Sequence, residues 1–327
     1  MTQGAQLTKV GERLIVRAPD KSIIHDIPFF RVRQIICFGT VEITANTIFQ
    51  IMYRNIDVVY LTKGGRFKCR LSNLNGKSVL SRLAQYKKAE DQFRLEIAGA
   101  IVRGKLEEYK KWMVFRHRRG NADCSREIAS VSEAITIIPV AKNTDELMGL
   151  EGIGSKAYFE AFRKNIKQEL GFFERNRRPP KDPVNAMLSF GYTILLQKVL
   201  SAIEIAGVDP FLANLHSNQN GRPSLALDLM EEFRHFLVDC TVLKLVNLAQ
   251  VRPQNFIYTV DKGVLIEETT IALLIKELQA RLSASIIYSR DGKKTQLQDI
   301  IQKQAYHYRS VILGEEPKYI PVSFTWR

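Results

Sequence analysis

The chain has 327 residues, 45% hydrophobic and 25% charged, the composition of a globular protein long enough for a large core and two domains. Its 48 lysines and arginines against 34 acids leave a net charge of +14 and a pI near 9.6, which favours a polyanionic partner, nucleic acid ahead of an anionic membrane surface. No stretch reaches the ~18 uninterrupted apolar residues of a spanning helix, Met1 to Val10 lacks a signal peptide's apolar run, and Cys37, Cys69, Cys124 and Cys240 are too scattered for a disulfide framework or zinc knuckle; a cytoplasmic protein without a membrane partner is expected.

From Glu12 to about Ser72 short β-type runs dominate: Arg13 to Arg17, Lys21 to His25, Val32 to Phe38, Val58 to Leu61 and Phe67 to Leu71, the last two joined by the hairpin signal Gly64-Gly65. Thr44 to Arg54 reads as one amphipathic helix within this series. After Asn73 to Gly76 the pattern changes: Leu80 to Arg119 reads as long charged helix, and helical periodicity continues to near Ala284. The fold class is therefore α+β, a small N-terminal β-rich domain (1–75) followed by a large all-α domain (76–327).

Within the second domain, Met148 to Ala157 places Glu151 in a glycine-flanked turn at an expected helix start, where an acid caps the helix or complements its dipole. The same Gly152-Ile153-Gly154 also resembles the hairpin of helix-hairpin-helix modules, whose amides cradle a phosphate. The basic, proline-rich loop Arg175 to Pro183 leads into an apolar helix from Asn185 through Tyr192 to near Gly207. Arg175, Arg177, Arg178 and Lys181 of this loop, with Arg163, Arg222 and Arg234, are candidates for sequence-independent phosphate contacts; the competing reading is a solvated basic surface.

The most informative segment is His216 followed by Gly221 to Arg234. Pro223 and Ser224 begin a helix whose core stripe is Leu225, Leu229, Phe233, Phe236, Leu237 and Cys240, which leaves Asp228, Glu231, Glu232 and His235 on one narrow arc. Carboxylates so placed repel one another unless a cation or ordered donors offset them. Imidazole with carboxylate oxygens suits Mg²⁺ or Mn²⁺ and also accepts Zn²⁺. A solvated acidic face beside a locally satisfied histidine is the alternative.

Taken together, Leu150-Glu151-Gly152, the run Arg178 to Tyr192, Leu215-His216 and Ser224 to Arg234 resemble the CRISPR-associated integrase of spacer acquisition, the Cas-one family, over nearly the whole chain. The resemblance implies a homodimer, with 1–75 as dimerisation domain and 76–327 as catalytic domain. It further implies a small ferredoxin-like CRISPR-associated partner and insertion of short DNA fragments into a CRISPR array by 3′-hydroxyl transesterification. By position it implies that Glu151, His216 and Glu231 are ligands of the metal, with Asp228 the additional catalytic acid and Asn185 and Tyr192 near the site. Glu231 stands where some relatives carry Asp. The chain begins almost inside the family's first strand, so it is expected to be a segment of a longer polypeptide, a fusion to a reverse transcriptase or processing nuclease; the reading frame upstream of Met1 tests this. A catalytically inactive DNA-binding scaffold and a stand-alone nuclease for branched DNA are the competing functions.

Overall fold

Alternate burial along Ala5–Val10 makes it a strand (β1) that turns its Ala5 and Leu7 side chains inward. It pairs antiparallel with β2 (Arg13–Arg17), which pairs with β3 (Ile23–Pro28), while β5 (Val41–Ile43) adds in parallel to the other edge of β1. A second sheet holds β4 (Gln34–Phe38), β6 (Asp57–Leu61) and β7 (Phe67–Leu71), with β6 central. Helix α1 (Ala45–Tyr53) lies against β1 and contributes Ile51 to a core with Leu7, Leu14, Phe29, Cys37, Ile56 and Val58. Periodicity located α1 and five of the seven strands; β1 and β5 carry too few apolar residues to stand out and exist through their partners.

The computed structural model describes residues 2–73, 79–89, 91–261 and 263–326. They fall into two units, Met1–Asn75 and Gly76–Arg327. In the second unit, α2 (Val79–Lys87) and the long α3 (Asp91–Arg118) are followed by α4 (Ser125–Ile137), α5 (Thr144–Lys164) and α6 (Pro183–Ala206). Then come α7 (Ser224–Phe233), a π-helical turn (Arg234–Asp239), α8 (Cys240–Asn247), α9 (Glu268–Ser283) and α10 (Leu297–Leu313). The all-α expectation describes the bulk of this unit and is corrected by two short antiparallel hairpins, β8 (Phe256–Thr259) with β9 (Gly263–Ile266) and β10 (Ser285–Ile287) with β11 (Lys294–Gln296). Strands this short hold no period, so the flanking helices mask them.

Three helices position the site. Ile101, Val102, Leu106, Tyr109 and Met113 form the buried stripe of α3, which packs against α5 and α7. Helix α6 starts where the Asp182 side chain accepts the Asn185 N–H at 2.8 Å with Pro183 in the first turn, and it ends at Gly207, whose φ of 80° suits glycine. By length and composition α6 could cross a membrane, but 72% of its apolar window is buried inside this unit, where it packs against α7 and α10.

Candidate active site

Glu151 lies in the middle of α5 rather than at its start, which corrects the expectation of a glycine-flanked turn. The helix begins at Thr144, where the Asn143 side chain accepts the Glu146 N–H at 2.9 Å, and Gly152 to Gly154 continue it. No hairpin forms there, so the phosphate cradle is also removed. Glycine is a poor helix former, but the buried side chains of Leu147, Leu150, Tyr158 and Phe162 hold this segment helical against its neighbours. Gly154 itself is required by packing: a Cβ there would run into the Leu106 side chain of α3.

That close approach sets Glu151 of α5 beside Lys105 of α3. The Lys105 ammonium donates to Glu151 Oε1 and, at 2.6 Å, to Glu231 Oε2 on α7, so three helices meet on one cation. Arg234 adds an ion pair to Glu231 Oε1 at 3.0 Å, and Ser155 Oγ donates to Glu151 Oε1 at 2.7 Å. Burial opposes ionisation of Glu151, but Lys105 outweighs it and holds the carboxyl down to about 2. Burial likewise opposes the charge on Glu231, and Arg234 and Lys105 reverse it, so its pKa is lowered. The same compensation raises Lys105: desolvation presses the ammonium down, and Glu151 and Glu231 more than offset it.

His216 stands on the loop before α7, supported by Asp228. The wholly buried Asp228 carboxylate accepts the backbone N–H groups of Asn214, Leu215 and His216 at 2.6, 2.9 and 3.0 Å, and its Oδ1 lies 2.6 Å from His216 Nδ1. A carboxylate on Nδ1 fixes the ring and leaves Nε2 for chemistry. Among the described residues, no three His, Cys, Asp or Glu side chains stand close enough to share a metal ion. As arranged here, then, the donor set does not fit a divalent ion: Lys105 already lies between Glu151 and Glu231, and His216 forms no close group with the two carboxylates.

The single acidic arc drawn from periodicity does not form. Glu232 turns away, accepting from Tyr319 Oη, from Gln304 Nε2 at 2.9 Å and from the Val322 N–H at 2.7 Å; burial pushes its carboxyl up to about 7 despite these donors. His235 is buried among Tyr109, Trp112, Tyr158 and Trp326, with its Nδ1 2.7 Å from Tyr158 Oη. For His235 the physical reason is the π-helical turn over Arg234–Asp239, whose wider turn breaks the 100° step and leaves Phe236 and Cys240 only half-buried; Glu232, still within α7, lies about 100° around the helix from Glu231.

Beside the acid pair opens a cavity of about 590 Å³, lined in part by Lys105, Lys156, Arg163, Arg175, Arg177 and Arg234. Aromatic rings interleave with these cations: Arg163 lies 5.0 Å from the centre of the exposed Phe173 ring, and Arg175 and Arg234 lie 5.4 and 4.8 Å from that of Tyr192. Tyr192, expected near the site, lines the cavity and donates to Asp239 Oδ1 at 2.5 Å. Asn185 holds the basic loop, its Oδ1 accepting from Arg175 Nη1 at 2.6 Å and from the Asn176 N–H at 3.1 Å. Arg178, Lys181 and Arg222 are not among the cavity's lining residues. Lys105 and Lys156 were missed in the sequence; the signal for Lys105 was a lone cation inside the apolar stripe Ile101, Val102, Leu106, Tyr109.

The chain as a whole has counterparts among known proteins. The family model described as CRISPR associated protein Cas1 matches residues 1–280. The chain belongs to the Cas1 family. It is 33% identical to the CRISPR-associated endonuclease Cas1 3 of Thermus thermophilus, across 97% of this chain and 94% of that protein. Among solved structures it superposes on a casposase bound to integration product with a TM-score of 0.85 and 22% identity, covering 98% of this chain and 91% of that one. A Cas6-RT-Cas1–Cas2 complex matches with a TM-score of 0.82 and 22% identity, covering all of this chain but 36% of that chain. At such identities these structures share the Cas1 fold: strands first, then a mostly helical region.

Proposed function

We propose that this protein is a DNA endonuclease and integrase that inserts short DNA fragments into a CRISPR array. The observation that carries the proposal is the acid pair Glu151 and Glu231 joined by Lys105, which itself lines a cation-rich, aromatic cavity, in a chain similar to a CRISPR-associated endonuclease over 97% of its length. A strand held there meets side chains that neutralise phosphates and rings that stack bases, the means of binding single strands without reading sequence. In the transesterification, a DNA 3′-hydroxyl gives up its proton as its oxygen bonds to phosphorus, and the old phosphorus–oxygen bond breaks, its oxygen leaving as a hydroxyl of the cut strand once it takes up a proton. Lys105 and Arg234 offset the charge that builds on the phosphoryl oxygens. His216, turned by Asp228 to present Nε2, takes or supplies a proton within its reach.

The reading carries Mg²⁺ or Mn²⁺ as the cofactor with Glu151, His216 and Glu231 as the residues that would hold it; membership of the family supports this, while the two carboxylates as arranged are taken by Lys105 and Arg234. It includes a homodimer formed through the first unit, whose Phe30, Phe49 and Tyr53 are exposed, and a small ferredoxin-like CRISPR-associated partner. A cytoplasmic site of action follows from the proposed substrate.

The test is joining of a labelled short duplex to a supercoiled plasmid bearing a CRISPR array, with Mn²⁺ or Mg²⁺, with and without the small partner. Wild type is expected to join. Glu151→Ala and His216→Ala are expected to lose roughly 10²-fold or more while still binding DNA. Equal joining by all three removes these residues from the chemistry, and tight DNA binding without joining by any of them points to a scaffold.

A further inference from the structure

Adjacent residues on two helices face different ways, one toward the acid pair and the other toward the last residues of the chain. On α3, Lys105 joins Glu151 and Glu231, while Gly104, Glu108, Lys111 and Phe115 recur at helical spacing on a neighbouring stripe. Residues 317–326, the segment after α10, lie along that stripe. A Cβ at Gly104 would run into the Pro321 ring, Lys111 Nζ donates to Ser323 Oγ at 2.6 Å, and Trp326 Nε1 donates to Glu108 Oε2 at 3.4 Å. On α7, Glu231 meets Lys105, while Glu232, the next step around the helix, accepts from Tyr319 Oη and from the Val322 N–H at 2.7 Å. Phe324 adds a stack on Phe236 of the π-helical turn, with ring centres 4.1 Å apart. None of the residues 317–326 is among those lining the cavity, so the segment grips both helices from outside it.

We propose that residues 317–326 are a positioning strap: they fix α7 to α3 through Glu232 with Tyr319 and Gly104 with Pro321, each one residue from the acid pair's own contacts, and so hold Glu231, Lys105 and Glu151 in the geometry that strand transfer requires. This rests on the integrase reading and deepens it by naming positioning residues outside the cavity. The strap lies beyond the residues 1–280 that the family model matches. Glu232 favours positioning over packing alone. An apolar side chain would cover the strap without the cost of burying a carboxyl, whereas hydrogen bonds are directional and fix how the two partners sit. The buried Glu232 gives its oxygens to the strap and to Gln304 of α10, whose Nε2 also donates to the Ile320 carbonyl at 3.2 Å, so the strap is held in one register.

The experiment uses the full chain and compares wild type with Tyr319→Phe, which removes the O–H that Glu232 accepts from and keeps the ring, and with Gly104→Ala, which favours the helix itself but pushes Pro321 away. Thr325→Ala, at an exposed position of the strap, is the control. Joining of the labelled duplex is timed over a range of DNA concentrations, thermal unfolding is recorded, and amide hydrogen exchange is followed over α7 and over residues 317–326. Both strap variants are expected to join about tenfold more slowly at saturating DNA, because small misplacements of reacting groups are costly, with the half-saturating DNA concentration unchanged within about twofold. Their α7 amides should exchange faster than those of wild type, and the control should match wild type throughout. Should Gly104→Ala fail to fold, Tyr319→Phe, which deletes a single oxygen, carries the comparison.

Wild-type joining rates in the strap variants, or faster exchange confined to residues 317–326, overturn the positioning role and leave the integrase reading intact. A slower rate matched by an equal rise in the half-saturating DNA concentration, or by enough unfolded chain at the assay temperature to account for it, overturns it too, since the strap then serves binding or folding and not placement. Failure of wild type itself to join brings down the integrase reading and the catalytic role of the strap together, and exchange over α7 then reports only whether the strap holds that helix.

Discussion

Asp228 shows how much one buried side chain decides at this site. Its two oxygens take four donors, three of them the consecutive backbone N–H groups of Asn214, Leu215 and His216 and the fourth the His216 ring. Asparagine in the same place offers one acceptor oxygen and one donor group, so the donors that faced the second oxygen lose their acceptor. Each such loss costs about 1–3 kcal/mol. Asp228→Asn is expected to lower stability by about 2–4 kcal/mol in urea unfolding and to reduce strand transfer through the freed His216 loop. A change below about 0.5 kcal/mol would mean that the loop is held by something else. Asp228 and His216 stood out in the sequence, because an acid on α7 and an imidazole just before it are close along the chain. Lys105 did not, because its partners lie 46 and 126 residues away, and nothing local marks such a pairing.

At the scale of elements, the contact of α3 with α5 sets the distance between Lys105 and Glu151. At Gly154 the two helices lie so close that an added Cβ would strike the side chain of Leu106, the residue next to Lys105. A branched side chain there must push the helices apart or force Leu106 from its rotamer. Gly154→Val is expected to cost about 1–3 kcal/mol in urea unfolding, the range for overpacking a filled core. It should also weaken the hold of Lys105 on Glu151. Stability within about 0.5 kcal/mol of wild type would show that Leu106 yields freely. The caps of α6 were readable from Asp182-Pro183 and Gly207, which act through local geometry. The π-helical turn after Phe233 was not, since it arises where α7 must satisfy Arg234, His235 and Asp239 against different neighbours: Glu231, the aromatic cluster and Tyr192.

For the molecule as a whole, the net charge of +14 finds a focus in the cavity wall, where Lys105, Lys156, Arg163, Arg175, Arg177 and Arg234 outnumber Glu160 and Glu174. If four or five of those cations meet phosphates of single-stranded DNA, the plot of log affinity against log salt concentration should fall with a slope of about −3 to −4. A flat dependence from low to high ionic strength would remove the phosphate contacts and the proposed use of the cavity. Replacing Arg163 and Arg177 together by alanine should lower the slope by about 1 to 2 without unfolding the chain, as both side chains are exposed.

The sequence by itself determined the strand-then-helix division, the helix from Ser224, the apolar α6 with its caps, and the motif order that marks the Cas1 family, because these depend on spacing along the chain and on composition. Tertiary structure alone decided which charges meet. It turned Glu232 toward Tyr319, Gln304 and Val322, buried His235 among aromatic rings, gathered four of the seven candidate arginines and lysines at one cavity, and set Lys105 between Glu151 and Glu231. These are contacts between helices far apart in sequence, and their geometry is set by packing, which no local pattern encodes.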